Sequence, residues 1–410
     1  MTDDLLPSLS LSDLVELAQA MTRHNTCNPP GNEQALAVHL AEWARAHGLE
    51  AEVLPIAPAR ANLRLRLPGG GQAPALVYCG HLDTIGPGDV PWRHDPFGGA
   101  VIEGSLWGRG ASDMKGGLAA MLAAMAALRR AGERLPGDVV LLATADEELG
   151  MLGAARLAAE GALAGAGWLV IAEPTSLDLV RAHRGVLWLE AVTHGRAAHG
   201  SMPHLGVNAI LHMTALAQRL SALHLPAAAH PLLPPPTISL NTIAGGQQVN
   251  IVPEQCRATI DIRTVPGQAH AQVLETVRST IAELADSIPE VRFDLRVLAD
   301  RPPVETALDD PLLDAARRAA EAALGFEPPV RAISYCTDAS ILLAAGPLPT
   351  LLFGPGDERL AHQCDEHVPV QALAAAARFF AALPRAVFAA QADPPGGGGG
   401  APPSPASPAA

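Results

Sequence analysis

The sequence predicts an α/β protein, a mixed sheet flanked by helices and interrupted by a smaller inserted α+β module. Three observations carry that prediction. Apolar strand-like runs alternate with helix-period segments as far as Pro174, the order then changes to strand, helix, strand, strand, helix, strand, and the first alternation resumes from Asp310 to about Phe388. Alternation of this kind builds a sheet with helices on both faces. The central order is that of a small split βαβ module, suited to a lid or a subunit interface. At 410 residues the chain also exceeds the length at which one core keeps growing, so two domains are expected. The expected division is a main domain over 1–183, the lid module over 184–299, the rest of the main domain over 300–390 and a tail over 391–410.

Each element has its own signal. Ser10, with Asp13 three residues on, caps a first helix whose apolar face is Leu14, Leu17 and Met21. Residues 32–47 give a second helix, stopped by Gly48. Residues 51–54, 62–67 and 74–79 read as strands, the last two divided by the glycines at 69–71. A helix over 115–131, a strand over 138–144, a helix over 153–163 and a strand over 167–172 follow. In the module, strands surround His183, Arg184 and Gly185; a helix covers 207–223, strands cover 237–243 and 256–262, a helix 269–285 and a strand 291–297. Arg301-Pro302-Pro303 reads as the exit linker. Beyond Gln391 a run of Pro, Gly, Ser and Ala cannot bury enough apolar surface to offset the entropy of ordering, so a disordered tail is expected.

Hydrophobic residues make up 49% and aromatics only 3%, so the core must rest on many small aliphatic contacts. The formal charge of -14 has the wrong sign for a nucleic-acid or anionic-membrane partner, and neither is expected. The five cysteines, Cys27, Cys79, Cys256, Cys336 and Cys364, are widely spaced and contain no CxxC pair, which fits neither a disulfide scaffold nor a thiolate zinc site. The N-terminus opens on acids instead of a basic stretch, and no apolar run reaches the roughly 18 residues of a membrane span. A cytoplasmic protein is the expectation.

The chemistry-bearing residues fall at element ends. His81 and Asp83 follow an apolar strand; two apart, they share a side, so Asp83 can reach His81 or hold the backbone around it. Asp113 precedes a helix, Glu147 and Glu148 end one strand, and Glu173 ends another. Ligands of open α/β sheets bind beyond the carboxyl ends of the strands. Taken singly, each acid reads as a solvated loop residue or a helix-dipole partner and His81 as an ordinary hydrogen-bonded histidine; together they do not. His362 follows a further apolar strand. His81, Asp113, Glu148, Glu173 and His362 offer two imidazoles and three carboxylates without a thiolate, a donor set for two divalent ions, Zn²⁺ first and Co²⁺ or Mn²⁺ as alternatives. If Asp113 is shared, each ion receives one His and one terminal Glu, and three negative ligands with a bridging hydroxide cancel two dications. Gly108-Arg109-Gly110 is no dinucleotide fingerprint, and neither a Walker loop nor a GxSxG elbow occurs.

These segments resemble the metallohydrolase family that includes acetylornithine deacetylase, succinyl-diaminopimelate desuccinylase, aminoacylase and the glutamate carboxypeptidases. The resemblance spans about Leu11 to Leu383 through HLD at His81, GRGASDMKGG from Gly108, DEE ending at Glu148, AEPT from Ala172, GRAAHGSMPHLGVNAI from Gly195, and GPG with AHQCDE. It implies a zinc-exopeptidase-like catalytic sheet with a ferredoxin-like lid and dimerisation domain. It implies a zinc pair bridged by Asp113, with His81 and Glu173 on one ion and Glu148 and His362 on the other. Glu147 becomes the general base for a metal-bound hydroxide, with Asp83 beside the ligands. By the same resemblance His199 is an oxyanion donor on the lid, reaching the site across a dimer interface in several relatives. Asn250 and Arg263 match positions that hold a substrate carboxylate, for which the planar guanidinium is suited; the plain alternative is a salt bridge from Arg263 to Asp261 or Glu254. The implied activity is removal of an acyl group from an N-acyl amino acid by a homodimer. The alternatives are a dipeptidase or carboxypeptidase on the same metals, and a metal-dependent binding protein without turnover, against which Glu147 speaks. Cys364 and His367 stand where the family typically has Pro and an aromatic.

Overall fold

The computed structural model describes residues 10–288 and 290–392. The chain opens with helices α1 (Leu11–Arg23) and α2 (Glu33–Ala46) and strands β1 (Glu50–Ala57), β2 (Arg60–Leu67) and β3 (Ala75–His81). Next come the short hairpin β4 (Ala100–Ile102) and β5 (Ser105–Trp107), then α3 (Lys115–Arg130), β6 (Val139–Thr144), α4 (Leu152–Ala159), β7 (Ala166–Ile171) and β8 (Leu179–His183). The inserted segment contains β9 (Gly185–His194), α5 (Ala209–Ser221), β10 (Thr237–Gly245), β11 (Gln255–Thr264), α6 (His270–Ser287) and β12 (Arg292–Arg301). The chain returns through β13 (Val304–Glu305), α7 (Pro311–Leu324), β14 (Val330–Ile333), α8 (Ala339–Leu342), β15 (Thr350–Leu352), β16 (His367–Pro369) and α9 (Val370–Ala392).

The main sheet is mixed and runs β1-β2-β6-β3-β7-β15-β8-β13, with β14 beside β8. At its centre β3 pairs in parallel with β6 and β7, and β7 with β15. Parallel strands covered on both faces read as unbroken apolar runs, which is why β3 and β6 are legible without alternation. Helix α3 is buried from Lys115 to Leu128, its many alanines and glycines allowing close approach to the sheet. A Cβ on Gly117 would lie 2.2 Å from the Ala172 carbonyl oxygen, so only glycine lets α3 pack against the chain leading to Glu173. Aromatic residues are few but concentrated: Phe353 stacks on Phe379 at 3.7 Å between ring centres, and Phe380 meets Tyr78 edge-on at 5.4 Å.

The inserted strands form a separate antiparallel sheet, β10-β11-β9-β12, with α5 and α6 packed over its own cluster of Leu187, Leu189, Met213, Leu216, Ile260 and Val277. This is the ferredoxin-like order implied by the resemblance.

Four expectations need correction. The exit strand continues past residue 297 to Arg301, because β12 follows β9 down to the Arg301–Val186 pair; Arg301 is therefore a strand residue, not linker. Helix α4 stops at Ala159, four residues early, where the chain turns through Gly161 and Gly165, both at positive φ. The small sheet β16-β5-β4 was not anticipated, since three-residue strands carry no readable period. Finally, one helix does meet the length and hydropathy of a membrane span: Val370–Ala390 has mean hydropathy 1.4, yet 72% of it is buried inside the molecule, with Phe379, Phe380 and Leu383 in the core. The tail expected from residue 391 lies outside the described residues, except that 391 and 392 close α9.

Candidate metal centre

Because β3, β6 and β7 run parallel, their carboxyl ends open on one edge of the sheet and deliver His81, Glu147 with Glu148, and Glu173. Asp113 comes from the turn before α3, and His362 from the loop between β15 and β16. His81 Nε2 lies 3.1 Å from Asp113 Oδ1, while His362 Nε2 lies 3.6 Å from Asp113 Oδ2 and 2.8 Å from Glu148 Oε2. Asp113 thus stands between the two imidazoles with one oxygen toward each. Donor atoms of His81, Asp113 and Glu148 all lie within 4.8 Å of one another. His362 adopts φ 63°, a left-handed conformation costly for a residue with a side chain, and such conformations cluster at functional sites.

The electrostatics bind Glu147 and Glu173 into the same cluster. Burial, then the charges of Asp113, Glu148 and Asp338, lift the Glu173 carboxyl well above the usual carboxylate range, against the pull of His81. Burial likewise lifts Glu147, with Glu173, Asp338 and Glu148 adding to it and His81 opposing. For His81, burial disfavours the charge, but the hydrogen bond and charge of Asp113, with Glu147 and Asp83, raise the imidazole well above its ordinary value. Carboxyl groups raised first by burial and then by each other's charge are costly to keep ionised beside two imidazoles alone. Divalent cations would relieve that cost, and the donors present, nitrogen and oxygen without sulfur, fit such ions.

Asp83 acts on the backbone. His81 Nδ1 is held by the Asp83 carbonyl oxygen at 2.9 Å, whereas the Asp83 carboxylate accepts the amide N–H groups of Glu147 at 3.1 Å and Glu148 at 3.2 Å. Its second support was missed in the sequence: buried Asn28 donates from Nδ2 to Asp83 Oδ2 at 2.9 Å and to Asp146 Oδ1 at 2.8 Å. Asp146 also pairs with Arg60 at 2.9 Å, and Arg60 with the buried Glu33. Glu366 was missed too, although it closes the AHQCDE segment; burial pushes its carboxyl up to about 7, against the pull of Arg109. A single asparagine before Pro-Pro-Gly carries no local signal of a contact 55 residues away.

The lid residues stand apart from this cluster. His199 is exposed and turns Nδ1 to Ser201 Oγ at 2.8 Å. Asn250 sits beside it, its carbonyl oxygen accepting the Gly200 amide at 2.7 Å. Arg263 makes the salt bridge that was its plain alternative, donating to Asp261 from Nε at 2.7 Å and Nη2 at 3.0 Å. It pairs with Val186 at one end of the sheet, while Gln255 pairs with His194 toward the other. Eight residues of strand separate those pairs by roughly 27 Å, so His199 and Asn250 lie at the opposite end of the lid from Arg263. The Arg263 charge acts on Cys336 of the main body, where burial pushes the thiol up and Arg301 and Arg263 pull it down. Asp338 carries one buried oxygen without a partner, the other accepting Thr144 Oγ1 at 2.5 Å; burial raises this carboxyl to about 6.

A mixed sheet presenting imidazoles and buried carboxylates on one edge defines the class as a candidate metallohydrolase. The chain belongs to peptidase family M20/M25/M40, whose family model matches residues 77–386. It is 36% identical over 327 residues to the acetylornithine deacetylase of Myxococcus xanthus, covering 78% of this chain and 80% of that one. It is 32% identical to the acetylornithine deacetylase of Proteus mirabilis, covering 82% and 86%. A protein of Staphylococcus epidermidis named a probable succinyl-diaminopimelate desuccinylase is 31% identical over 388 residues, covering 88% and 94%. Among solved structures, an M20 metallo-carboxypeptidase from Sulfolobus solfataricus superposes with a TM-score of 0.74 at 17% identity over 92% of this chain and 99% of that one. A dinuclear metal-binding M20 peptidase from Bacillus subtilis gives 0.72 at 17% identity, covering 93% and 98%. These likenesses establish the fold.

Proposed function

We propose that the protein hydrolyses the amide bond of an N-acyl amino acid with two divalent ions, zinc in the first instance, held by His81 and Glu173, by Glu148 and His362, and by Asp113 between them. The observation that carries this reading is Asp113 facing both imidazoles, with Glu148 on His362 and the buried Glu173 under the charges of Asp113 and His81. When bound, the ions would polarise the amide carbonyl and make a water more acidic.

The remaining steps fall to the chain's own groups. Glu147 takes a proton from the attacking water and passes it to the departing amine nitrogen. Its carboxyl, lifted by burial and by the neighbouring acids, is suited to accept that proton, and nearby dications would oppose that lift. Asp83 fixes the amides of Glu147 and Glu148, so the base and its neighbour keep one orientation. Arg263, released from Asp261, and Asn250 hold the substrate carboxylate, and His199 donates to the developing oxyanion.

The far placement of His199 from Arg263 supports a homodimer in which the lid of one copy completes the site of the other. Strand β10 is an exposed edge carrying exposed Ile243, and Leu211 is exposed on α5, which packs against it, the features of a sheet edge awaiting a partner. Five unpaired cysteines support a reducing compartment, and we assign the protein to the cytoplasm.

The deacylase reading takes its support from relatives at 31–36% identity named for deacetylation and desuccinylation. Solved peptidases such as the Bacillus cereus aminopeptidase, TM-score 0.73 over 92% of this chain at 21% identity, favour a second reading, peptide cleavage on the same metals. Zinc-loaded enzyme assayed on N-acetylornithine, N-succinyl-diaminopimelate and a dipeptide panel separates them. Turnover of the acyl amino acids supports the first, and cleavage of dipeptides alone replaces it with the second.

A further inference from the structure

We propose that Glu366 is a positioning residue for the metal centre, holding the turn that presents Asp113 between the two ions; the inference rests on the dinuclear reading above. Glu366 is fully buried on the loop that also carries His362. One carboxylate oxygen accepts two consecutive amide N–H groups, from Ser112 at 2.8 Å and Asp113 at 2.9 Å. The other accepts Arg109 Nη1 at 2.5 Å, and the Glu366 carbonyl oxygen accepts the Gly108 amide at 2.9 Å. Both ends of the turn from Gly108 to Asp113 are therefore tied to a single residue. The start of the same loop adds a further tie, Ser112 Oγ donating to the Asp357 carbonyl oxygen at 3.0 Å.

The arrangement repeats a device seen on the other side of the site. Asp83 captures the adjacent amides of Glu147 and Glu148, and Glu366 captures the adjacent amides of Ser112 and Asp113. In each case a buried carboxylate converts a loop into a fixed mount for an acid that faces the ions. With its amide pinned, Asp113 has only its two side-chain torsions left, which suits a ligand that must serve two ions at once. His362 and Glu366 are four residues apart on one loop, so a shift of that loop displaces one ligand and the mount of another together. Arg109, stacked at 5.0 Å over Trp92, steadies the second oxygen.

A purely structural alternative is that Glu366 exists to neutralise buried Arg109. Two substitutions separate the roles. In Glu366→Ala both amides lose their acceptor. In Glu366→Gln one side-chain oxygen still accepts both amides, while the charge facing Arg109 is gone. Metal-free full-length protein is titrated with Zn²⁺ by calorimetry against a competing chelator, and Co²⁺ loading is followed by its absorption spectrum. Glu366→Ala is expected to fold and to bind both ions about 10- to 100-fold more weakly, the usual cost of losing a partner behind a metal ligand, with kcat reduced and KM unchanged. Glu366→Gln is expected to recover most of that affinity and the wild-type Co²⁺ spectrum. The proposal is overturned by a folded Glu366→Ala that binds both ions at wild-type affinity, by a Gln variant as defective as Ala, or by failure of both variants to fold. Wild-type protein that takes up fewer than two ions is a different failure, removing the dinuclear reading first and the role of Glu366 with it.

Discussion

Glu147 sits among acids whose charge, added to burial, makes it a better proton acceptor than a solvated glutamate, while its amide is held by Asp83. Replacing it with Gln removes the proton acceptor and leaves the proposed metal donors untouched. Glu147→Gln is expected to keep its metal content and lose about 10²- to 10⁴-fold in kcat, read by elemental analysis beside steady-state kinetics; near-normal kcat removes Glu147 from the mechanism. Asn28 tests the support beneath. Its Nδ2 lies between Asp83 and Asp146, so Asn28→Leu leaves two buried carboxylates short of a donor. A loss of roughly 1–3 kcal/mol per unsatisfied group is expected in denaturant unfolding, and unchanged stability would show that the network is dispensable. Arg263→Ala is expected to raise KM for a substrate with a free carboxylate and to leave KM for its methyl ester unchanged; equal KM for the acid in both enzymes argues against carboxylate recognition.

The junction between β8 and β9 offers a test at the scale of the element. His183 closes β8 fully buried, with Nδ1 on the Arg184 carbonyl oxygen at 2.9 Å and Nε2 3.3 Å from Thr337 Oγ1. Burial lowers its pKa to about 4, the Arg184 contact opposing. The folded value lies below the unfolded one of about 6.5, so the unfolded chain binds the extra proton between them. The stability associated with neutral His183 is full above the unfolded value and is lost as pH falls through 4. About 3 kcal/mol is at stake across that window. Unfolding free energies of His183→Gln are expected to fall less steeply between pH 6.5 and 4.5 than those of wild type, and parallel slopes refute the assignment. Elements of ordinary length were legible: the capping box at Ser10 and Asp13 is present as read, and α3 and β3 begin within a residue of expectation. The reach of β12 to Arg301 was not, because the strand ends where its partner β9 ends, a matter of pairing and not of its own sequence.

At the scale of the molecule, the proposed site needs two lids. If His199 serves the partner's ions, Glu147→Gln and His199→Ala are each inactive as homodimers, but a mixed dimer contains one intact site. Co-refolded equal mixtures are expected to recover about a quarter of wild-type activity, since half of random dimers are mixed and each has one working site of two. Absence of recovery, together with a fully active monomer in sedimentation, rules out the shared site.

Sequence alone determined most of the longer helices and strands and the identity of the clustered acids and imidazoles, because apolar period and residue type are written locally. His81, Asp113, Glu148 and His362 could be named from their positions at strand ends and helix starts. Tertiary structure alone decided that the Asp83 carboxylate grips the Glu147 and Glu148 amides, that Asn28 and Glu366 support the loops, and that Arg263 pairs with Asp261 far from His199. The physical reason is range: strand and helix periods arise between near neighbours, whereas a buried carboxylate finds its partner only after strands distant in sequence have been laid side by side.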